Sequence, residues 1–428
     1  MDREFSNTDD FFKTLFEPAL SSSPNEPFIH TRRCVVAIPV KDEEQRLPGC
    51  LAALAAQRDR HGKSLDPACF GVVLFANNCN DRSADLARSL SEQLSLPVRV
   101  VEASLPPVEA HAGNARRAAM DIAGAWLVEE RVSDGVILTT DADSRVSEDW
   151  ISKNLAAIDA GADAVMGGIA LDEEGDLLPE ALHRRGRLES AYETLLIELS
   201  ALLDPLAHNP WPHHATISGA SIAVTGEAYL RVGGLPRVPL GEDKAFVAEL
   251  VRHDAKIRFC PEVRVTTSGR LDGRAPGGVA DTLRLRSNDP TAYCDELLEP
   301  FRVAIERAKW RGRLRRLWCA GKFDGHGAWA GQLDILPADA KRICRAPSFG
   351  AAWSAIEHQS PLFARLLLTP AQLPGQISGA RRALARLRKR RLSAREHIES
   401  EISVPVCPLN LCSVADRVDE EACSLVAS

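Results

Sequence analysis

Two aspartates one residue apart, Asp141 and Asp143, follow directly on the apolar run GVILTT at 135–140. Carboxylates at that spacing at a strand end can both turn into one cleft, and their hard oxygens suit Mg²⁺ or Mn²⁺. Such a cation keeps coordination positions open for phosphate oxygens. A sugar nucleotide's reaction has this requirement, because the charge developing on its diphosphate leaving group must be neutralised. Taken alone, Asp-x-Asp equally describes a solvated turn or a helix cap. A second acidic pair, Glu242-Asp243, opens a helix further along the chain. A carboxylate there can accept the proton of a sugar hydroxyl, or the pair can simply sit at the positive end of the helix dipole.

Other segments carry weaker signals. The stretch His111-Ala112-Gly113-Asn114-Ala115-Arg116-Arg117 opens a helix just before the strand that leads into Asp141. An arginine there can face a base or a phosphate, or be part of an exposed basic turn. Trp211, His213 and His214 lie in a proline-flanked loop, and can line an acceptor pocket or pack the loop. Ser218-Gly219-Ala220 would let backbone approach a donor sugar closely, although strand packing alone also explains small side chains. Arg270 and Arg274 in a Gly-rich loop can meet an anionic acceptor or a diphosphate, or remain solvated. The basic stretch 381–395 is amphipathic through Leu384, Leu387 and Leu392. It can touch an anionic membrane or a phosphorylated partner, or pack as a helix with solvated arginines.

Elements must position these residues. Residues 1–31 are polar and read as a flexible extension. CVVAIPV (34–40), GVVLFANN (71–78), VRVVEA (98–103) and GVILTT (135–140) are short apolar runs that read as strands. Between them, 43–57, 81–94 (with Asp81 as cap) and 109–128 have helical spacing. This alternation implies a parallel sheet covered on both faces, with ligands beyond the carboxyl ends of its strands. The turns at those ends are PVKDEE, NNCND and DADS, so polar chemistry clusters where the cleft is expected. A helix at 148–160, a strand at 163–170, a long helix at 180–203, a strand at 217–224, a helix at 243–253 and the runs IRFC and VRVTTS follow. Beyond Arg286 the chain is Ala-, Leu- and Arg-rich and helical in pattern. The boundaries read as 1–31 extension, 32–285 catalytic domain and 286–428 helical region with a polar tail.

Composition bounds the reading. An apolar fraction of 45%, a charged fraction of 26% and a net charge of −7 describe an ordinary globular chain and argue against a nucleic-acid binder. Eleven cysteines, scattered, odd in number and never spaced as CxxC, suggest free thiols in a reducing compartment. The acidic N-terminus has no signal pattern, and no apolar stretch approaches the ~18 residues of a membrane helix. The expectation is a cytoplasmic protein whose membrane contact is at most peripheral.

IPVKDEE, then ANNCNDRS, GNARRAA, a strand into DAD, a small-residue strand, GG and ED stand in an order that resembles the family 2 glycosyltransferases of GT-A fold, over roughly residues 33–270. The resemblance implies a Rossmann-like mixed α/β sheet, a nucleoside-diphosphate sugar donor (UDP- or GDP-linked) and a small-molecule or lipid-linked hydroxyl acceptor. It also implies Mn²⁺ or Mg²⁺ and inversion at the anomeric carbon. Carried over residue by residue, Pro39, Val40, Glu43, Asn78, Asp81, Arg117 and Asp141 border the nucleotide-sugar. Asp143, with Asp141, holds the metal, and Asp243 beside Glu242 is the general base. Trp211, His214 and Arg270 are acceptor candidates. Three departures stand out. Ala76-Asn77-Asn78-Cys79 replaces Asp-Asp-x-Ser after the second strand. Thr266 or Thr267 stands where many relatives place a metal-binding His. The acceptor motif of processive synthases is missing. A sugar nucleotidyltransferase would carry a Gly-rich basic loop where PVKDEE stands. A silent binding or scaffold protein is the other alternative, against which the retained DAD and ED count.

Overall fold

The computed structural model of the protein describes residues 32–172, 179–270, 279–324, 327 and 329–402. The extension 1–31, Arg274 and the tail beyond 402 lie outside them. The chain divides into two compact units, one of Met1–Pro179, His213–Leu285 and Pro347–Ala351, the other of Glu180–Pro212, Arg286–Ala346 and Ala352–Ser428.

The first unit is built on an eight-stranded sheet: β1 (Cys34–Val40), β2 (Phe70–Asn77), β3 (Val98–Ala103), β4 (Val136–Thr139), β5 (Ser144–Val146), β6 (Ala164–Leu171), β7 (Ile222–Thr225) and β8 (Ile257–Thr267), in the order β3-β2-β1-β4-β7-β6-β8-β5. β1 to β4 run parallel, as their alternation with helices predicts. β7 is antiparallel to both β4 and β6, and β5 is antiparallel to β8, so the sheet is mixed.

The period-two side-chain alternation of the strands builds two cores. Val36, Ile38 and Val40 of β1 pack with Val72 and Leu74 under α1 (Leu47–Ala55), α2 (Ser83–Gln93) and α4 (Trp150–Asp159). Val35 and Ala37 face the other way, with Val73 and Phe75, against α3 (Ala112–Glu129), α6 (Gly226–Arg231) and α7 (Glu242–Arg252). At roughly 25 cal/mol per Å² of apolar surface, these two layers are the main stabilising term of the unit.

The expected elements differ from the observed ones for local reasons. α1 starts at Leu47 rather than Glu43, because Pro48 favours the first helical turn and Glu43 closes a tight turn on Arg46 and Leu47. The run 217–224 is a strand only from Ile222, since residues 218–221 close a turn from Ser218 O to Ser221 N–H. IRFC and VRVTTS form one strand, β8, with a register shift against β6 at Gly167/Gly168. Pro261 is tolerated inside it because β5 pairs only with residues 265–267.

The second unit centres on α5 (Glu180–Leu203), α9 (Phe301–Cys319) and α13 (Leu373–Ile402), which bury Tyr192, Leu199, Leu298, Leu373, Ile377 and Leu384 together. The sequence reading placed 180–203 within the catalytic segment, whereas α5 packs with the later helices. In this unit Arg311 and Arg315 hold the Asp204 carboxyl below its usual range, overcoming the burial that opposes its charge. The basic stretch on α13 packs Leu384 inward while Arg388 forks onto Glu198. Among the described residues no helix is long and apolar enough to cross a membrane.

Candidate active site

The parallel strands of the first unit end in three loops that meet. Asp81 accepts from the N–H and hydroxyl of Ser83 and from the N–H of Glu44, so its carboxylate fastens the loop after β2 to the loop after β1. The Ser83 hydroxyl in turn accepts the Glu43 N–H at 2.9 Å. Asn78, at φ +51°, spends its side-chain amide on both backbone groups of Leu105, and its own carbonyl accepts from Lys41. Pro39 and Val40 close β1, and the Cys79 thiol donates to the Val40 carbonyl. Asn78 and Asp81 therefore shape the rim through the backbone. Beside them, the Asn77 side-chain oxygen is buried and, among the described residues, has no hydrogen-bond partner.

Arg116 organises the next layer. It lies on the buried face of α3, and its guanidinium donates to Asp141 Oδ1 (2.7 Å), Glu242 Oε1 (3.1 Å), Thr139 Oγ1 (3.0 Å) and the Gly219 carbonyl (2.8 Å). Burial opposes its charge, but Asp141 and Glu242 outweigh it and raise its pKa. Gly219 has to be glycine, because a Cβ there would stand 2.3 Å from Arg116 Cζ. This one buried cation joins the acidic residue after β4 to the acidic pair at the start of α7.

Asp243 is held from two sides, by the Gly219 N–H at 3.2 Å and the Lys244 N–H at 2.7 Å. Burial, then the charge of Glu242, raises its pKa, the direction a general base needs. Gly241 at φ +72° supplies the left-handed turn into α7 that aims the pair.

Asp143 is a strongly perturbed carboxylate. Burial and the charge of Asp141 push its carboxyl up to about 6, against the pull of Arg270. Arg270 forks onto Glu43 at 2.6 and 3.2 Å and lies 3.1 Å from Asp143 Oδ2. Thr267 donates to Asp143 Oδ1 at 3.4 Å and accepts the Ser144 hydroxyl at 2.9 Å. The β5–β8 pairing, which sets Ser144 opposite Thr267, thus brings the Thr267 hydroxyl to Asp143.

This donor set fits a small hard cation, since it consists of carboxylate and hydroxyl oxygens whose mutual repulsion already raises a pKa. Asp143 and Asp141 can hold it, with Thr267 beside them. Among the described residues the trio of potential ligands found close together is a different one, Asp42, Cys79 and Asp81. That trio is better read as a loop fastening: Asp42 accepts the Asn80 N–H, Asp81 is engaged as above, and burial raises the Cys79 thiol pKa, leaving it protonated.

Two expected residues serve elsewhere. Arg117 donates to the carbonyls of Leu235 and Gly233 and to Asp121, anchoring the Gly233-Gly234 turn. His214 accepts the Thr216 N–H at Nδ1, reaches the Cys260 carbonyl with Nε2 and packs edge-on against Phe259. Burial lowers its pKa, and it is a neutral packing histidine. Trp211 belongs to the second unit and is 39% exposed. Of the two adjacent arginines the sequence reading chose Arg117, but Arg116 reaches the carboxylates. The available signal was periodicity: Arg116 shares a helix face with Ala119, Met120 and Ala123, all buried.

Known proteins extend this picture. Residues 35–217, somewhat under half of the chain, match the family model described as glycosyl transferase family 2. No curated protein matches. Among solved structures, S. aureus TarS 1–349 in complex with UDP-GlcNAc is similar at 14% identity and a TM-score of 0.41, over 76% of this chain and 90% of that one. The mannosyltransferase PcManGT from Pyrobaculum calidifontis, in complex with GDP-Man and Mn²⁺, is similar at 15% identity and a TM-score of 0.39, over 87% of both chains. These likenesses are distant and carry no assignment; the resemblance to family 2 rests on the sequence match. Over residues 35–217 the chain is similar to the family 2 glycosyltransferases.

Proposed function

We propose that the protein transfers a hexosyl group from a nucleoside-diphosphate sugar, UDP- or GDP-linked, to a hydroxyl acceptor with inversion at the anomeric carbon. The carrying observation is that Arg116 bonds Asp141 and Glu242 at once. It holds the acidic residues beyond β4 and the pair opening α7 in one cluster, as donor activation and acceptor deprotonation both require. A divalent cation bound by Asp143 and Asp141 would supply charge neutralisation to the departing diphosphate.

The remaining roles belong to side chains of this unit. Asp243, fixed by two backbone N–H groups, takes the proton from the acceptor hydroxyl as the new glycosidic bond forms. Its raised pKa improves it as a proton acceptor. Glu242 is committed to Arg116 and orients the pair. Gly219, without a side chain, leaves room for the Arg116 guanidinium, and Glu43, Asn78 and Asp81 fix the loops around the nucleotide.

The test is hydrolysis and transfer with a panel of UDP- and GDP-sugars in the presence of Mn²⁺, comparing wild type with Asp143→Ala. The expected result is Mn²⁺-dependent turnover of at least one donor by wild type and a loss of two or more orders of magnitude in the variant. Equal turnover by both would remove Asp143 from the reaction, and the absence of donor binding by either would favour a non-catalytic role.

A further inference from the structure

Arg270, three residues beyond the end of β8, occupies an unusual position for a cation in a site that is itself suited to one. Its guanidinium bridges Glu43, through two hydrogen bonds, and Asp143 Oδ2 at 3.1 Å. The three side chains are only 17%, 9% and 16% exposed, so the bridge is shielded from water. The acid it contacts is the one proposed as principal metal ligand, and it takes Oδ2 while the Thr267 hydroxyl takes Oδ1.

We infer that Arg270 is a built-in competitor of the divalent cation: it neutralises Asp143 and Glu43 in the donor-free protein and must be displaced when metal arrives with its nucleotide. The inference rests on the metal reading above. Two cations cannot share one carboxylate oxygen at hydrogen-bond distance without strong repulsion, so metal binding by the free protein has to break a charge-assisted pair. A nucleoside diphosphate changes the balance, because its phosphates give the released guanidinium a new anionic partner. Metal and nucleotide therefore favour each other's binding, and linkage makes that coupling reciprocal. The cation enters with the donor rather than ahead of it. This restrains the acidic pair from collecting metal without substrate, and it gives Arg270 a role distinct from acceptor binding.

The experiment is a titration of the full chain with Mn²⁺, following free aquo-Mn²⁺ by electron paramagnetic resonance, with and without UDP or GDP. It compares wild type, Arg270→Gln and Arg270→Lys. Without nucleotide, Arg270→Gln is expected to bind Mn²⁺ on the order of tenfold more tightly than wild type, the scale of one charge-assisted hydrogen bond. The enhancement of Mn²⁺ binding by the nucleoside diphosphate should shrink by a similar factor. Arg270→Lys, which keeps the charge but loses the fork, should fall between the two. Equal or weaker Mn²⁺ binding by Arg270→Gln, with wild type still binding Mn²⁺ alongside nucleotide, would overturn the competition and leave the metal site standing. No Mn²⁺ uptake by any of the three under either condition would overturn the metal site and the competition together.

Discussion

Replacing Asp143 by asparagine should stabilise the metal-free protein while abolishing its metal response. The side chain is 16% exposed, and burial with the charge of Asp141 pushes its carboxyl up to about 6, against 3.8 for an ordinary aspartate. Each pKa unit is worth about 1.4 kcal/mol, so keeping Asp143 ionised costs the folded state roughly 3 kcal/mol at pH 7.5. The sign follows from proton uptake. Between pH 3.8 and about 6 the folded protein binds more protons than the unfolded chain, so stability falls as pH rises through that window. The penalty is absent below it and fully developed above it. Asparagine keeps the shape and removes the charge. Wild type and Asp143→Asn should therefore have similar stability at pH 4, and the variant should be more stable above pH 7 by about 2–3 kcal/mol, or roughly 5–10 °C in Tm for a unit of this size. The assay is urea and thermal denaturation in EDTA across pH 4–8. Adding Mn²⁺ with UDP or GDP should then raise the wild-type Tm and leave the variant unmoved. A variant less stable than wild type at pH 7.5 in EDTA would refute the electrostatic reasoning about this site.

Other substitutions test the remaining parts. Arg116→Met should cost about 3 kcal/mol at neutral pH, because it leaves the buried Glu242 and the half-buried Asp141 without their cation. Urea denaturation of the two proteins at neutral pH measures the loss. Gly219→Ala places a Cβ 2.3 Å from Arg116 Cζ; displacement of the guanidinium should lower kcat by an order of magnitude or more while circular dichroism stays native. Asp243→Asn should reduce kcat by about 10²–10⁴ with little change in donor Kd, measured by calorimetry with the nucleoside diphosphate. In wild type, kcat/KM should decline on the acid side as Asp243 takes up a proton at a pH above that of an ordinary aspartate.

Much of this molecule can be read from its residues, and the reasons differ from place to place. The strands β1, β2 and β4 are legible because continuous apolar runs have few alternatives once both faces are covered. Asp141 and Asp143 stand out in the sequence because the carboxyl end of such a strand is where ligands gather. β5 has only three residues and no apolar run; its pairing comes from β8, more than a hundred residues later, so no local pattern marks it. The turn at 218–221 looks like strand because small apolar residues suit both, and what decides is tertiary: Arg116 takes the Gly219 carbonyl and Asp243 takes its N–H. Arg117 and Arg116 are the same residue type side by side, and only the helical phase of their neighbours separates the solvent-side anchor from the buried bridge. The place of Arg270 could not have been read at all, since a guanidinium in a Gly-rich loop has no sequence signature for which carboxylate it meets.

The central claim is that Asp143 and Asp141 bring a divalent cation to the diphosphate of a sugar nucleotide, and phosphorus resonance tests it directly. The measurement is the paramagnetic broadening of the ³¹P lines of a bound UDP- or GDP-sugar by substoichiometric Mn²⁺. Wild type should broaden the diphosphate signals beyond what Mn²⁺ does to the free donor, and Asp143→Asn should lose that excess. Identical broadening with the two proteins, while both still bind the donor, would contradict the account.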